Sequence, residues 1–300
     1  MEINGVAVDD IHAEAFAMPF SRIIVTARTG KWAHTVSRLA TGCATSIIAC
    51  GCEAGVEAHT ADFKTPDGRP GERLLFFART ADDLRKELIK RVGQVCLPAP
   101  AVQVFNGLDA GTPFALGDKL GYFGNGFQRE EKHHGLGCVA IPCTAGDFIV
   151  ERSVNIGEGV GGANFWIFAQ SNKTGLRAAE RAADAISSLP GLILPFAGGV
   201  VAAASRLGGK YDFLSASTQE DYCPTIPAAK NPNRKLPPKV EAVFEIVIDA
   251  VSNAIAEAAM AAGIRAACGG GGVVKIGAAN FGGKLGNLKF SLHDILARHQ

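Results

Sequence analysis

An excess of charge of either sign is what this chain lacks most plainly: 30 Lys and Arg residues stand against 29 Asp and Glu residues. A net charge of +1 supplies no bulk field for holding nucleic acid or an anionic membrane, so any anionic ligand has to be gripped by local groups. Aromatic residues are scarce, at 7%. Long hydrophobic runs are missing as well. The longest uncharged apolar stretch, from Leu189 to Ala204, is shorter than the roughly 20 residues of a spanning helix, and Pro190, Gly191, Pro195, Gly198 and Gly199 interrupt it. The opening MEINGVAVDD has acids where a signal peptide carries a basic region and an apolar core, so a cytoplasmic protein is expected. The eight cysteines never form C-x-x-C and are too sparse for a disulfide scaffold. Reduced core thiols are expected, and no metal site is assigned, because neither Cys50 with Cys52 nor Cys138 with Cys143 has histidines at matching spacing.

What the chain does have is apolar mass and glycine. Hydrophobic residues make up 47% against 20% charged, enough apolar surface to offset the ordering entropy of a globular fold, and 300 residues suit two lobes. Glycine, at 36 residues, points to turns and sites built from backbone.

The order of elements repeats. RIIVTAR (Arg22 to Arg28) reads as a strand, and Thr29-Gly30 opens a helix to about Ala40; NFWIFAQ (Asn164 to Gln170) reads as a strand, and Thr174-Gly175 opens an alanine-rich helix. Apolar strands follow from Ser46 and from Leu192. Then come RLLFFAR (Arg73 to Arg79) and EAVFEIVI (Glu241 to Ile248), with helices starting at Asp82 and Asp249, and final strands from Lys119 and Val273. This is the split βαβ order twice over. It predicts an α+β protein of two ferredoxin-like lobes, residues 1–145 and 146–300, with antiparallel sheets carrying their helices on one face. The open sheet faces are then where function is sought. In the first lobe alternation puts Ile24, Thr26, Leu75 and Phe77 there, to be covered by lobe or subunit contacts.

In the second lobe the same alternation turns Ala242, Phe244, Ile246 and Ile248 toward the helices and Glu241, Val243, Glu245 and Val247 to the open face. Two acids among valines read either as a solvated edge or as a desolvated carboxyl able to exchange a proton near neutral pH. Residues 205–239 form a long insert. Its polar part, from Ser205 to Thr225, carries two tyrosines and hydroxyls suited to a flat polar substrate, and its basic, proline-rich part reads as a connector. The glycines of NIGEGVGGANF precede a strand instead of linking strand to helix, which rejects a dinucleotide loop. His133-His134 reads as a polar turn.

Several motifs, in order and nearly end to end, carry a resemblance: MEINGV, TPDGRPG (Thr65 to Gly71), GDFIVE (Gly146 to Glu151), KYDFLSAST (Lys210 to Thr218), DYCPT and NFGGKLG (Asn280 to Gly286). The chain resembles the formylmethanofuran:tetrahydromethanopterin N-formyltransferases. The resemblance implies a two-lobed α/β protein, a homotetramer, with no permanently bound cofactor or metal. It implies transfer of a formyl group between the amine of a methanofuran-type carrier and a ring nitrogen of tetrahydromethanopterin. In bacteria the resembling subunit belongs to a formyltransferase/hydrolase complex. Glu245 matches the family's proposed catalytic acid. Substrate contacts are expected from Lys210, Tyr211, Asp212, Ser215, Ser217, Thr218 and Tyr222 of the insert, and from Asn280, Gly282, Gly283 and Lys284. Lys284, Lys210 and Arg206 are candidates to guide anionic carrier tails, and backbone amides in the glycine clusters at 161–162 and 281–283 to hold an oxyanion. A noncatalytic scaffold subunit of such a complex is the alternative. A hydrolase acting alone would need a metal or a Cys/His/Asp set to activate water, and no such spacing is present. The absence of extreme acidity leans toward the methylotrophic direction, from pterin carrier to furan carrier.

Overall fold

The computed structural model describes residues 1–280, 282 and 286–299. It is a mixed α+β structure with mostly antiparallel strand pairing and six α-helices among the described residues. Two compact units emerge, residues 18–159 and residues 1–17 with 160–300. Residues 1–17 join the second of these, where the strand Val6–Val8 pairs in parallel with Val273–Gly277 at Lys275↔Ala7 and Ile276↔Val8.

The unit of residues 18–159 contains most of β1 (His12–Ala27), then α1 (Gly30–Ala40), β2 (Glu53–His59), β3 (Gly71–Phe77), α2 (Ala81–Arg91) and β4 (Val102–Asn106). Pairing runs β2-β3-β1-β4, antiparallel throughout. The helices cover Ile23, Val25, Ala27, Leu74 and Phe76, the alternate positions of β1 and β3. The opposite face carries Ile24, Thr26, Leu75 and Phe77 as expected, all buried within this chain. Ile24 packs with Phe105, Ala140 and Ile149, and Phe77 stacks on Phe20 with ring centroids 5.5 Å apart. The TPDGRPG loop closes over Thr26, whose hydroxyl donates to Asp67 Oδ2 (2.6 Å) and accepts from Arg69 Nη2 (2.8 Å). That hydrogen bond helps hold the Asp67 carboxyl below its usual range, against its partial burial.

The second unit repeats the order. It contains most of β5 (Val154–Ala169), then α3 (Asn172–Ser187), the short strand Leu192–Ile193, β6 (Ala242–Ala250), α4 (Asn253–Ala267) and β7 (Val273–Gly277). The sheet runs Leu192–Ile193, β6, β5, β7, again antiparallel. Alanine-rich faces of α3 and α4 approach closely over Phe244, Ile246 and Ile248. Gly175 is required there, because a Cβ would lie 2.7 Å from the Phe244 ring and 2.8 Å from Ala169 Cβ.

Several local expectations are corrected. The helices begin at Ser or Thr caps: Thr80 accepts from Asp83 N–H (3.1 Å) and Ser252 from Ile255 N–H (3.4 Å), so Asp82 lies in a first turn and Asp249 inside β6. The α3 cap is Ser171, which leaves Thr174-Gly175 inside the helix. The strand expected from Ser46 begins only at Glu53, after Gly51 with φ of +78°. The strand from Leu192 stops at Ile193, before Gly198 and Gly199 with φ of +63° and +74°. No strand starts at Lys119. Leu116 and Leu120, four apart and buried, belong to the helix Leu116–Gly121, and β4 is the fourth strand instead.

The Phe20–Phe77 stack is an internal staple of its sheet. Phe77→Ala should lower unfolding free energy by about 3–5 kcal/mol, the usual cost of emptying a buried phenylalanine site. Denaturant titration would check this, and a loss of about 1 kcal/mol or less would contradict the packing described.

Candidate active site

β6 has a two-residue rhythm of burial: Ala242, Phe244, Ile246 and Ile248 lie in the helix-side core, and Val243, Glu245 and Val247 are partly buried on the other face. Across the ladder, β5 sets Phe168 opposite Val243, Trp166 opposite Glu245 and Asn164 opposite Val247. β7 adds Lys275 opposite Phe168 and Gly277 opposite Trp166. On its other side Glu245 is hydrogen-bonded through its backbone to Val201, at 2.8 and 2.9 Å. Glu245 is therefore held in an inner position of the sheet.

The insert closes over this face. Tyr222 meets Trp166 edge-on with centroids 4.9 Å apart and reaches Phe168 at 5.8 Å. Val240, Ala279, Ala204, Leu236, Val243 and Val274 complete the apolar cluster. Glu245 keeps slight solvent contact, yet so much protein surrounds its carboxyl that burial pushes it from 4.5 up to about 7. Trp166 Nε1–H moderates that rise from nearby, without a hydrogen bond of full geometry. At neutral pH both protonation states are then accessible, which suits a group that gives and recovers a proton. Two cations border the aromatic wall. Lys275 Nζ lies 4.6 Å over the Phe168 ring and 2.8 Å from Asp9, and Lys235 lies 5.9 Å from the Tyr222 ring and 2.8 Å from Asp221.

Of the residues expected from the sequence, Tyr222 is brought to the Glu245 face. Lys210, Tyr211, Asp212 and Ser215 lie exposed at the tip of a hairpin whose strands are Ser205–Leu207 and Ala216–Thr218. Ser217 and Thr218 belong to its return strand, paired with Arg206 and Ser205. Arg206 is tied to Glu220 at 2.8 Å. Asn280 is committed locally, donating to His12 O (3.1 Å) and accepting from the Gly282 N–H (2.7 Å). Gly282 is exposed with φ of +74°, and Gly283 and Lys284 lie outside the described residues. Glu241 is exposed just before β6. Around Gly162, φ is +75° and the N–H donates to Asp249 Oδ1 (2.9 Å), so this amide is engaged.

Trp166, Phe168, Asn164 and Lys275 escaped the sequence reading. The alternation of NFWIFAQ is the signal that would have found the first three, since 164, 166 and 168 share one face of β5. Asn164 ties that face to the following segment: its Oδ1 accepts from Ala279 N–H (2.7 Å) and its Nδ2 donates to Glu14 O (3.3 Å) and Gly162 O (3.0 Å). Glu14 Oε2 in turn accepts from Gly286 N–H (3.0 Å).

A family model described as formylmethanofuran-tetrahydromethanopterin formyltransferase matches residues 1–143, and the model of the proximal lobe of the same family matches residues 146–295. The chain belongs to this formyltransferase family. It is 46% identical over 301 residues to the formyltransferase of that name from Methylococcus capsulatus, covering 99% of this chain and 100% of the relative. To the one from Methanosarcina acetivorans it is 44% identical over 297 residues, covering 98% and 100%. Two solved structures are similar over nearly their whole length. The Methanosarcina barkeri formyltransferase has a TM-score of 0.90 at 43% identity, covering 98% of this chain and 100% of that one. A chain of the formyltransferase/hydrolase complex from Methylorubrum extorquens, solved with methylofuran, has a TM-score of 0.92 at 40% identity, covering 99% and 98%. Among the described residues no helix is long and apolar enough to cross a membrane.

In this formyltransferase the burial of Glu245 has a thermodynamic signature. The folded state retains a proton that the unfolded chain releases near pH 4.5, so stability is fully present below that pH and falls as the pH rises to about 7. Each pH unit between the two values is worth about 1.4 kcal/mol, less what solvent contact screens. Glu245→Gln should therefore be more stable than wild type by about 1–3 kcal/mol at pH 8 and equal to it at pH 4. Melting temperatures across this range would show the divergence; parallel pH profiles would mean the carboxyl is solvated.

Proposed function

We propose that the chain moves a formyl group between the amine of a methanofuran-type carrier and a ring nitrogen of tetrahydromethanopterin, with Glu245 as the proton carrier. The observation that supports this most is a carboxyl with a pKa near 7 set on an inner strand, beside the aromatic wall of Trp166, Phe168 and Tyr222. The incoming nitrogen attacks the formamide carbon, and the carbonyl oxygen becomes anionic in a tetrahedral intermediate. The ionised carboxyl takes the proton from the attacking nitrogen and returns it to the departing nitrogen as the C–N bond breaks, so protons balance over one turnover. Flat rings suit a pterin, whose faces would lie against them. Lys235 and Lys275 border the site, each paired with a carboxylate at 2.8 Å that an anionic carrier would have to share or displace. The hairpin residues Lys210, Tyr211, Asp212, Ser215, Ser217 and Thr218, and Asn280, Gly282, Gly283 and Lys284, remain the proposed contacts for the carriers' outer parts.

The repeated strand order of the two units is that of a split βαβ fold, which supports reading them as ferredoxin-like lobes. A homo-oligomer of four chains in the cytoplasm, working with hydrolase subunits and passing formyl from the pterin to the furan carrier, completes the proposal. The similarity to a chain from a formyltransferase/hydrolase complex supports the hydrolase partners. The scaffold reading is not favoured: a chain freed from catalysis would gain stability by replacing Glu245 with an apolar residue.

Glu245→Gln keeps volume but cannot carry the proton, and the maximal rate with both carriers saturating should fall about 10²- to 10⁴-fold with small changes in the Michaelis constants. Glu241→Gln, exposed and outside the cluster, should remain within about twofold of wild type. A Glu245→Gln enzyme at full rate would remove this residue from the chemistry.

A further inference from the structure

The unit of residues 18–159 holds a second cluster of chemically active side chains, distant in role from Glu245. His59 ends β2 and is the cross-strand partner of Glu72 on β3, and His34 comes down from the first turns of α1. Glu72 Oε1 lies 3.0 Å from His34 Nδ1 and 2.9 Å from His59 Nδ1, and one donor atom from each of the three residues falls within 4.8 Å of the others. Glu72 is 3% exposed, whereas the two imidazoles face solvent. Its second oxygen, Oε2, is buried without a hydrogen-bond partner.

We propose that His34, His59 and Glu72 form a binding site for a divalent transition cation of the zinc class. Two imidazoles and one carboxylate are the donor set such ions take, whereas calcium and magnesium prefer an all-oxygen set. A four-coordinate ion with bonds of about 2.0–2.2 Å spaces its donor atoms by roughly 3.3 Å, so separations of 2.9 and 3.0 Å need to open by only a few tenths of an ångström. Oε2 of the same carboxyl is buried without a hydrogen-bond partner, a costly arrangement that a cation bound at Oε1 offsets. Binding through both Nδ1 atoms places the ring protons on Nε2, and water fills the remaining position. The ion would clamp α1 to the β2–β3 pair, which makes the site a structural one.

The test uses the full chain after chelator treatment and Zn²⁺ as the probe. Isothermal titration should find one more ion per chain in wild type than in the His34→Ala/His59→Ala double variant, whose exposed side chains can be removed without unfolding the sheet. Each single variant should weaken that site by at least about tenfold. Added Zn²⁺ should raise the melting temperature of wild type but not that of the double variant, as expected for a ligand that binds only the folded state. Equal stoichiometry in the two proteins, or a melting shift that survives in the double variant, would overturn the proposal and leave the cluster as a pair of hydrogen bonds.

Discussion

Desolvation of one carboxyl group is the constraint around which the second unit is organised. Glu245 stands on an inner strand, so its neighbours on both sides are backbone-paired, and its face is roofed by Trp166, Phe168 and Tyr222. A carboxylate in that setting is poorly solvated, and the proton affinity rises until protonated and ionised forms are balanced near neutrality. The cost is borne by the rest of the sheet. The opposite face of β6 must be filled well, and it is, by Phe244, Ile246 and Ile248 under two alanine-lined helices whose small side chains allow close approach.

Around the acid, precision comes from the backbone. Asn164 lies on the same face of β5 as Trp166, and its amide secures Ala279 and Glu14 together, so the segment that enters the 280–286 motif is registered against the strand that carries the indole. Asn280 then fixes its own turn through His12 and Gly282. Polar side chains here work chiefly as positioning groups for main chain.

Alternation makes β6 legible in the sequence: two-residue periodicity separates Glu245 from Phe244 and Ile246, because a strand leaves a side chain only two directions. The repeated order of elements was legible for the same reason. Helix starts were less so, since Asp82 and Asp249 are as good caps in isolation as Thr80 and Ser252, and only the register of the finished helix chooses between them. The segment from Lys119 misled because its apolar residues fit a short strand as well as one helical turn, and burial of Leu116 and Leu120 decides for the helix. The meeting of Tyr222 with Trp166 joins residues 56 positions apart, a distance over which neither periodicity nor local propensity carries information.

The two roots of the insert are both sewn into the sheet: Val201 is bridged to Glu245 itself, and the Glu241 N–H donates to Ala169 O at 2.9 Å. Gln219 N–H adds a stitch to Ala204 O (3.0 Å), below the hairpin. A flap fastened in this way has no hinge at its base. Any opening that preserves those stitches has to occur between them, in the spans from Ser205 to Thr218 and from Glu220 to Val240, which keeps traffic into the site mechanically apart from the placement of the acid. Movement confined to the hairpin would leave the strand bearing Glu245 in register.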